Sequence, residues 1–261
     1  MADDPIAVCA QAVAKGDPDR FAATMAAPVP ARTVLFPLYA FNLEVARAPW
    51  MSREPMVAQM RLQFWTDVLD CIGDGRPVPQ HEISEPLAQA VRETGLDVAL
   101  LHGIVAARAQ DIAPEGFADA DALWQYLDAT AGNLMWAAAL ALGAPERSTP
   151  AVRGMAHASG LANYLLAVPA LEAAGRQPLP DTDAAAIAAL ANDGLARLTR
   201  ARAARATVPH RASPALLAGW RSRALLTLAA QSPERVRAGA LAESDFARRG
   251  ALLMRTISGR W

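Results

Sequence analysis

LYAFNLEVARAPW, residues 38–50, is the stretch that points most directly to the fold of this chain. Its apolar residues recur at helical spacing, Pro28 and Pro30 precede the segment, and Pro49 follows it. These signals predict a helix over residues 31–47. Pro37 lies inside that helix, where it removes one backbone hydrogen bond, so we expect a kink there.

The same helical spacing extends along the chain, and no segment shows the alternation of a half-buried strand. Alanine and leucine dominate, and Pro or Gly separates the apolar segments. The sequence therefore predicts an all-α bundle of about ten helices in a single domain over residues 1–261. After two short N-terminal helices and the helix at 31–47, further helices are predicted over residues 55–71, 84–94, 97–112, 119–143, 148–173, 183–206, 211–230 and 241–257.

Several bulk features limit the function class. The longest apolar run, residues 134–144, is well below the roughly 20 residues of a spanning helix, so it predicts a buried helix. The N-terminus lacks the basic and apolar regions of a secretory signal. Cys9 and Cys71 are far apart and indicate neither a disulfide framework nor a zinc site. We expect a reducing cytoplasmic setting, with a peripheral location at the inner membrane as the alternative.

The charge is unevenly distributed along the chain. Thirteen arginines and three acids fall between Gly194 and the C-terminus, although the net charge of the whole chain is -1. Two interpretations stay open: a basic face for an anionic membrane or acidic partner, or two halves that pack together and neutralise each other. The first rests on residues 195–211 and on Arg221, Arg223, Arg248 and Arg249.

Generic catalytic motifs are absent from the sequence. There is no GxGxxG, P-loop, HExxH or GxSxG pattern, and no nucleic-acid partner is expected. The histidines lie far apart and show no metal-ligand spacing, so we expect structural roles for them: His81, His102, His157 and His210.

Four stretches occur in an informative order: RTVLFPLYAFN (32–42), MRLQFW (60–65), YLDATAG (126–132) and GLANYLLAVP (160–169), the last followed by GRQPLP (175–180). Over residues 17–230 this order and spacing resemble the squalene/phytoene synthase family. The resemblance implies one all-α isoprenoid-synthase-type domain around a central cavity. It also implies head-to-head joining of two prenyl diphosphates, with Mg²⁺ ions held by DxxxD-type motifs on two facing helices.

The chain departs from the family at the positions of those aspartates. Ala46, Arg47 and Trp50 occupy the first motif, and Ala167 and Leu171 occupy the second. The same departures are typical of an aspartate-poor subfamily of complex I assembly factors, which this sequence resembles most. The resemblance therefore implies a non-catalytic or repurposed member of the family, without a cofactor. Mg²⁺ is expected only under the alternative of a working prenyl-diphosphate transferase.

No residue is predicted to be catalytic or to bind a metal. The candidate ligand-binding residues, for an isoprenoid or another lipid, are Asn42, Glu44, Arg61, Gln63, Tyr126, Asn163 and Arg176. We expect Arg61 to pair with Glu44 in place of the lost metal bridge. A third hypothesis makes Glu44 the base of a different reaction. Assembly of a respiratory complex is the expected partner role, and four aromatic residues are expected in the core: Phe64, Trp65, Trp124 and Trp136.

Overall fold

The computed structural model describes residues 4–52, 54–113, 115–242, 245–258 and 261, without the side chains of 245–249 and 257–258. This part of the chain contains helices and no strand. The α-helices are Pro5–Gly16 (α1), Pro18–Met25 (α2), Val29–Arg47 (α3), Pro55–Gly73 (α4), Ser84–Thr94 (α5), Ala99–Arg108 (α6), Ala120–Leu127 (α7), Asn133–Ala141 (α8), Thr149–Ala173 (α9), Ala184–Ala203 (α10), Ser213–Leu217 (α11), Ser222–Gln231 (α12), Glu234–Arg237 (α13) and Asp245–Ser258 (α14).

The first two helices begin with the same N-cap arrangement, an aspartate followed by a proline. Asp4 accepts a hydrogen bond from the backbone N–H of Ile6 at 3.1 Å, and Asp17 accepts one from Arg20 at 2.9 Å. A proline follows each aspartate at the first helical position, where its missing N–H has no cost. Lys15 lies exposed in the last turn of α1, where a positive charge is favourable to the helix dipole.

The contacts divide the chain into two compact units. Unit 1 comprises Met1–Ala113, Asn133–Ala144 and His210–Ala218. Its centre is α3, which packs against α1, α5 and α8. Leu35, Phe36, Tyr39 and Phe41 on this helix are all buried, so α3 is the core element of its unit.

Unit 2 comprises Pro114–Gly132, Pro145–Pro209 and Gly219–Trp261. Its centre is α9, which packs against α10 and α12. A Cβ placed on Gly154 would lie 3.0 Å from the Cβ of Ala201, and one on Gly194 would lie 2.9 Å from Leu161. Early residues of α9 therefore face late residues of α10, and the two helices are antiparallel at a distance that requires glycine.

Helix prediction from the sequence was right for most segments and wrong for two. The segment 84–94 is α5 as predicted, and α3 passes through Pro37. The predicted helix 119–143 is interrupted by a π-helical turn, Asp128–Gly132. The predicted helix 211–230 is two helices, α11 and α12. Gly219 lies between them, and a Cβ there would lie 2.6 Å from Cε of Met155.

The expected core aromatics are largely confirmed: Trp65, Trp124 and Trp136 are buried, and Phe64 is half-buried.

None of the helices formed by the described residues has the length and hydrophobicity needed to cross a bilayer. Arg248 and Arg249 lie in α14, but their side chains are outside the described part of the chain. The single domain and its central cavity stay predictions.

Candidate functional site

The predicted site residues of α3 lie in different environments. Asn42 is 7% exposed, and its side chain has no hydrogen-bond partner among the described residues. Glu44 pairs with Arg47, with Oε1 and Nη1 3.9 Å apart. The expected pair between Glu44 and Arg61 is therefore wrong. The partner of Glu44 lies three residues along the same helix, at the position where the family places an aspartate.

The two candidate residues of α4 face outward. Arg61 and Gln63 are both exposed, and Nε2 of Gln63 donates to Oδ1 of Asp67 at 2.7 Å, one turn along the helix. The buried face of this helix carries Trp65, whose ring meets that of Phe41 edge-on at 5.4 Å. That contact joins α4 to α3 beside Asn42.

In unit 2, the candidate Tyr126 is buried in an aromatic cluster. Its ring lies 5.2 Å from Phe117 and 6.2 Å from Tyr164, and the Tyr164 hydroxyl donates to the carbonyl oxygen of Pro178 at 2.8 Å. This hydrogen bond joins α9 to the GRQPLP segment that follows it. Asn163, one residue before Tyr164, is exposed.

The Tyr164 hydrogen bond gives a direct test of this anchor. We expect Tyr164→Phe to lower the free energy of unfolding by about 1 kcal/mol, because the ring stays and only the hydroxyl donor is lost. Urea unfolding followed by circular dichroism measures the change. No loss of stability would mean that water replaces the hydroxyl and that the segment is held by other contacts.

Arg176 lines an open cleft of about 540 Å³. The cleft also contains Glu172 and Arg237, whose Oε1 and Nε atoms are 2.8 Å apart. Glu172 is the one acid near the second family motif, and its carboxylate is already paired with Arg237. Of the seven predicted residues, Arg176 is the one that the structure places in a described cleft.

A cluster that the sequence did not predict surrounds Asp128 in the π-helical turn. Oδ1 of Asp128 accepts hydrogen bonds from Nη1 of Arg153 and from Nε2 of His157, each at 2.7 Å. Arg153 and His157 are one turn apart on α9, so both reach the same carboxylate. The hydrogen bond from His157 is the main cause that lowers the pKa of Asp128, and Arg153 adds to it.

Arg197 on α10 completes this cluster. Its Nη1 lies 3.3 Å from Nδ1 of His157, its Nε lies 3.0 Å from Oδ2 of Asp193, and its guanidinium stacks over the ring of Trp124 at 4.0 Å. A guanidinium only donates hydrogen bonds, so Nδ1 of His157 accepts. With Nδ1 as the acceptor, the ring N–H lies on Nε2, which donates to Oδ1 of Asp128.

The cluster borders a groove of about 580 Å³, to which Trp124 and Asp193 contribute. Ala186, Ala189 and Leu190 supply apolar lining. Further aspartates also line the groove: Asp119, Asp121 and Asp181. The cluster places a carboxylate, Asp128, beside a hydrogen-bond donor, His157, but these groups already bond to each other. The contacts of the cluster therefore serve first to join α7, α9 and α10.

Two weak sequence signals could have revealed this cluster. Arg153 and His157 are spaced i,i+4 on one helix, and Asp193 and Arg197 have the same spacing on the next. His157 was expected to be structural, and its two hydrogen bonds agree with that expectation.

The residues at the family's motif positions do not fit Mg²⁺. Methyl, isobutyl, indole and guanidinium groups supply no oxygen ligand where the family has aspartates. Among the described residues, no group of three His, Cys, Asp or Glu side chains is arranged to hold a metal ion. The residues at these positions are Ala46, Arg47, Trp50, Ala167 and Leu171.

The family model of squalene/phytoene synthase matches residues 13–250 of the chain. The chain belongs to this family. As a squalene/phytoene synthase family member, it shares its fold with a dehydrosqualene synthase (TM-score 0.81, 14% identity, 97% of this chain and 95% of that one). It also resembles squalene synthase HpnC from Alicyclobacillus acidocaldarius (TM-score 0.73, 14% identity, 88% and 94%). These likenesses confirm the predicted all-α isoprenoid synthase fold.

Curated relatives of this family member carry a different name from the synthases. The chain is 26% identical over 162 residues to the Bos taurus protein named NADH dehydrogenase (ubiquinone) complex I, assembly factor 6, covering 62% of this chain and 48% of that protein. It is 28% identical over 178 residues to the Drosophila melanogaster homolog, covering 66% and 52%. The chain thus spans about half the length of the curated relatives it matches.

Proposed function

We propose that this family member is non-catalytic as a prenyltransferase and assists the assembly of respiratory complex I. The observation that carries the proposal is that the curated relatives reported above are complex I assembly factors. The residues at the family's aspartate positions support it, because they supply no carboxylate to neutralise a diphosphate leaving group. The family fold would then serve as a binding scaffold.

Within that scaffold, we propose that Asn42 contacts an isoprenoid or another lipid. Asn42 is 7% exposed on α3, the helix that carries the first family motif, and its amide can both donate to and accept from the polar head of a ligand. Glu44, Arg61, Gln63, Tyr126, Asn163 and Arg176 remain candidates for the same role. Glu44 and Gln63 each have a partner on their own helix, and Arg61 and Gln63 are exposed.

Deletion of the gene in its own organism tests the assembly role. We expect a loss of NADH:ubiquinone oxidoreductase activity and of assembled complex I on native gels, with succinate dehydrogenase activity unchanged as the control. Re-expression of the chain should restore both measurements. Normal complex I in the deletion strain would overturn the proposal.

The transferase alternative has its own experiment. The purified protein is mixed with farnesyl or geranylgeranyl diphosphate, with and without Mg²⁺, and released pyrophosphate is measured. We expect no turnover under either condition. Pyrophosphate release that depends on Mg²⁺ would make the chain a working transferase with metal ligands outside the two family motifs.

A further inference from the structure

The groove of about 580 Å³ in unit 2, lined by α7 and α10 and here called the α7–α10 groove, contains two kinds of residue. Of the eleven described residues that line it, seven are apolar and the other four are aspartates. On α10, Ala186, Ala189 and Leu190 are spaced i, i+3 and i+4, so one face of this helix forms an apolar wall. The wall is open to side chains of another molecule.

Three of the four aspartates keep an unpaired negative charge. Asp193 pairs with Arg197, with Oδ2 and Nε 3.0 Å apart. Asp119 and Asp181 each accept one backbone hydrogen bond on Oδ1, and Asp121 lies exposed in the first turn of α7. None of these three carboxylates forms an ion pair with another described residue. The groove therefore favours an apolar occupant that carries positive charge.

The C-terminal helix of the same unit, α14, has the opposite character. Its Leu253 and Met254 side chains are 60% and 64% exposed, and Gly250, one turn earlier, is also exposed. These three residues are spaced i, i+3 and i+4, so they share one face of the helix. The segment Asp245–Ser258 contains three arginines and one acid, which gives it a net charge of +2. It combines an exposed apolar face with the charge that the groove would bind.

The helix does not occupy the groove of its own chain. None of the described residues that line the groove belongs to α14, and Leu253 and Met254 would be covered if they lay there. Two surfaces of one chain thus match in hydrophobicity and in charge without being joined within that chain. An amphipathic helix that lays residues of this spacing into an apolar groove is a recurrent mode of protein recognition.

We propose that α14 of one copy of this chain docks into the α7–α10 groove of a second copy. Leu253 and Met254 lie against the apolar wall of α10, and the positive charge of α14 offsets the three unpaired carboxylates. Two such contacts made reciprocally close a dimer, whereas contacts in one direction extend a row of copies. The proposal goes beyond the proposed assembly role and does not depend on it.

Sedimentation velocity of the full chain tests the proposal. One helix in one groove is a small interface, so the protein is measured over about 10–300 µM, where weak association is visible. We expect the weight-average sedimentation coefficient to rise with protein concentration. The rise should be smaller in about 500 mM salt than in about 50 mM salt, because salt screens the charges of the two surfaces. A monomer at every concentration would overturn the proposal.

Two variants change the two surfaces separately. Asp121→Lys reverses one charge of the groove, and Met254→Glu places a negative charge on the exposed face of α14. Glu115→Lys and Met60→Glu are the matched controls, since both residues are exposed and lie outside the groove and α14. We expect each surface variant to raise the dissociation constant at least about tenfold, and each control to change it less than about twofold.

A mixture of the two surface variants distinguishes this contact from association through any other face. The Asp121→Lys protein keeps an intact α14, and the Met254→Glu protein keeps an intact groove. We therefore expect the mixture to associate at concentrations at which neither variant does so alone. Association of either variant as strong as that of the wild type, or a mixture that stays monomeric, would contradict the proposal.

Thermal unfolding followed by circular dichroism checks the fold of each variant. The substituted side chains are exposed, so we expect unchanged unfolding temperatures. If Asp121→Lys does not fold, Ala189→Arg replaces it, because Ala189 is exposed on the same wall of the groove. Leu253→Glu replaces Met254→Glu in the same way. The expected results and the contradicting ones are then the same for the replacement pair.

Discussion

Phe41→Ala is expected to lower the free energy of unfolding by about 3–5 kcal/mol, as large-to-small changes of fully buried aromatics do. Phe41 is 0% exposed on α3, and its ring packs edge-on against Trp65 of α4 at 5.4 Å. Removing the ring leaves a cavity at the contact between these two helices. Urea unfolding monitored by circular dichroism measures the loss.

Met60→Ala on α4 is the matched control, because Met60 is 66% exposed and belongs to the helix that Phe41 contacts. We expect its effect to stay within about 0.5 kcal/mol. If Phe41→Ala costs no more than this control, α3 and α4 repack without strain. The contact would then not be what positions Asn42.

Asp128→Ala is expected to cost about 2 kcal/mol, since it removes the acceptor of two short hydrogen bonds from Arg153 and His157. The expected loss is well below that of breaking a fully buried ion pair, because 43% of the Asp128 side chain is exposed and solvent screens its charge. Thermal and urea unfolding measure the change. Glu115→Ala, an exposed acid of the same unit, is the control.

The pH dependence of Asp128→Asn tests the cause of that loss. Asp128 has a pKa below its usual value of 3.8, so its charge stabilises the fold above pH 3.8 and the contribution is lost as the pH falls through the folded-state pKa. The stability difference between wild type and Asp128→Asn should therefore be largest near neutral pH and shrink in acid. A difference that is constant across this range would assign the effect to packing instead of charge.

Local signals account for the segments that were predicted well. The helix at 84–94 ends at Gly95, whose φ of 65° is a left-handed conformation that glycine adopts easily, so the boundary is readable from the sequence. The break between α11 and α12 has no comparable signal. Gly219 faces Met155, more than 60 residues away in sequence, and only tertiary packing makes a glycine necessary there.

The candidate site was also predictable from the sequence only in part. Order and spacing of four stretches indicated the family, and the absence of its aspartates is visible residue by residue. The partner of each charged side chain was harder to predict from the sequence. Glu44 pairs with Arg47 on its own helix, and Asp128 pairs with His157, which is distant in sequence. Such choices depend on the rotation of each helix about its axis, which spacing alone does not specify.

Lys15, exposed at the end of α1, is the single lysine of the chain, and Cys9 and Cys71 are both buried. Apart from the α-amino group, amine-reactive reagents will therefore have one target, the Lys15 side chain, while thiol reagents will find no exposed target in the native protein. A photoreactive crosslinker attached at Lys15 would report a bound protein from one known point. Each crosslink from this position to a partner protein would then limit the distance of the partner from Lys15.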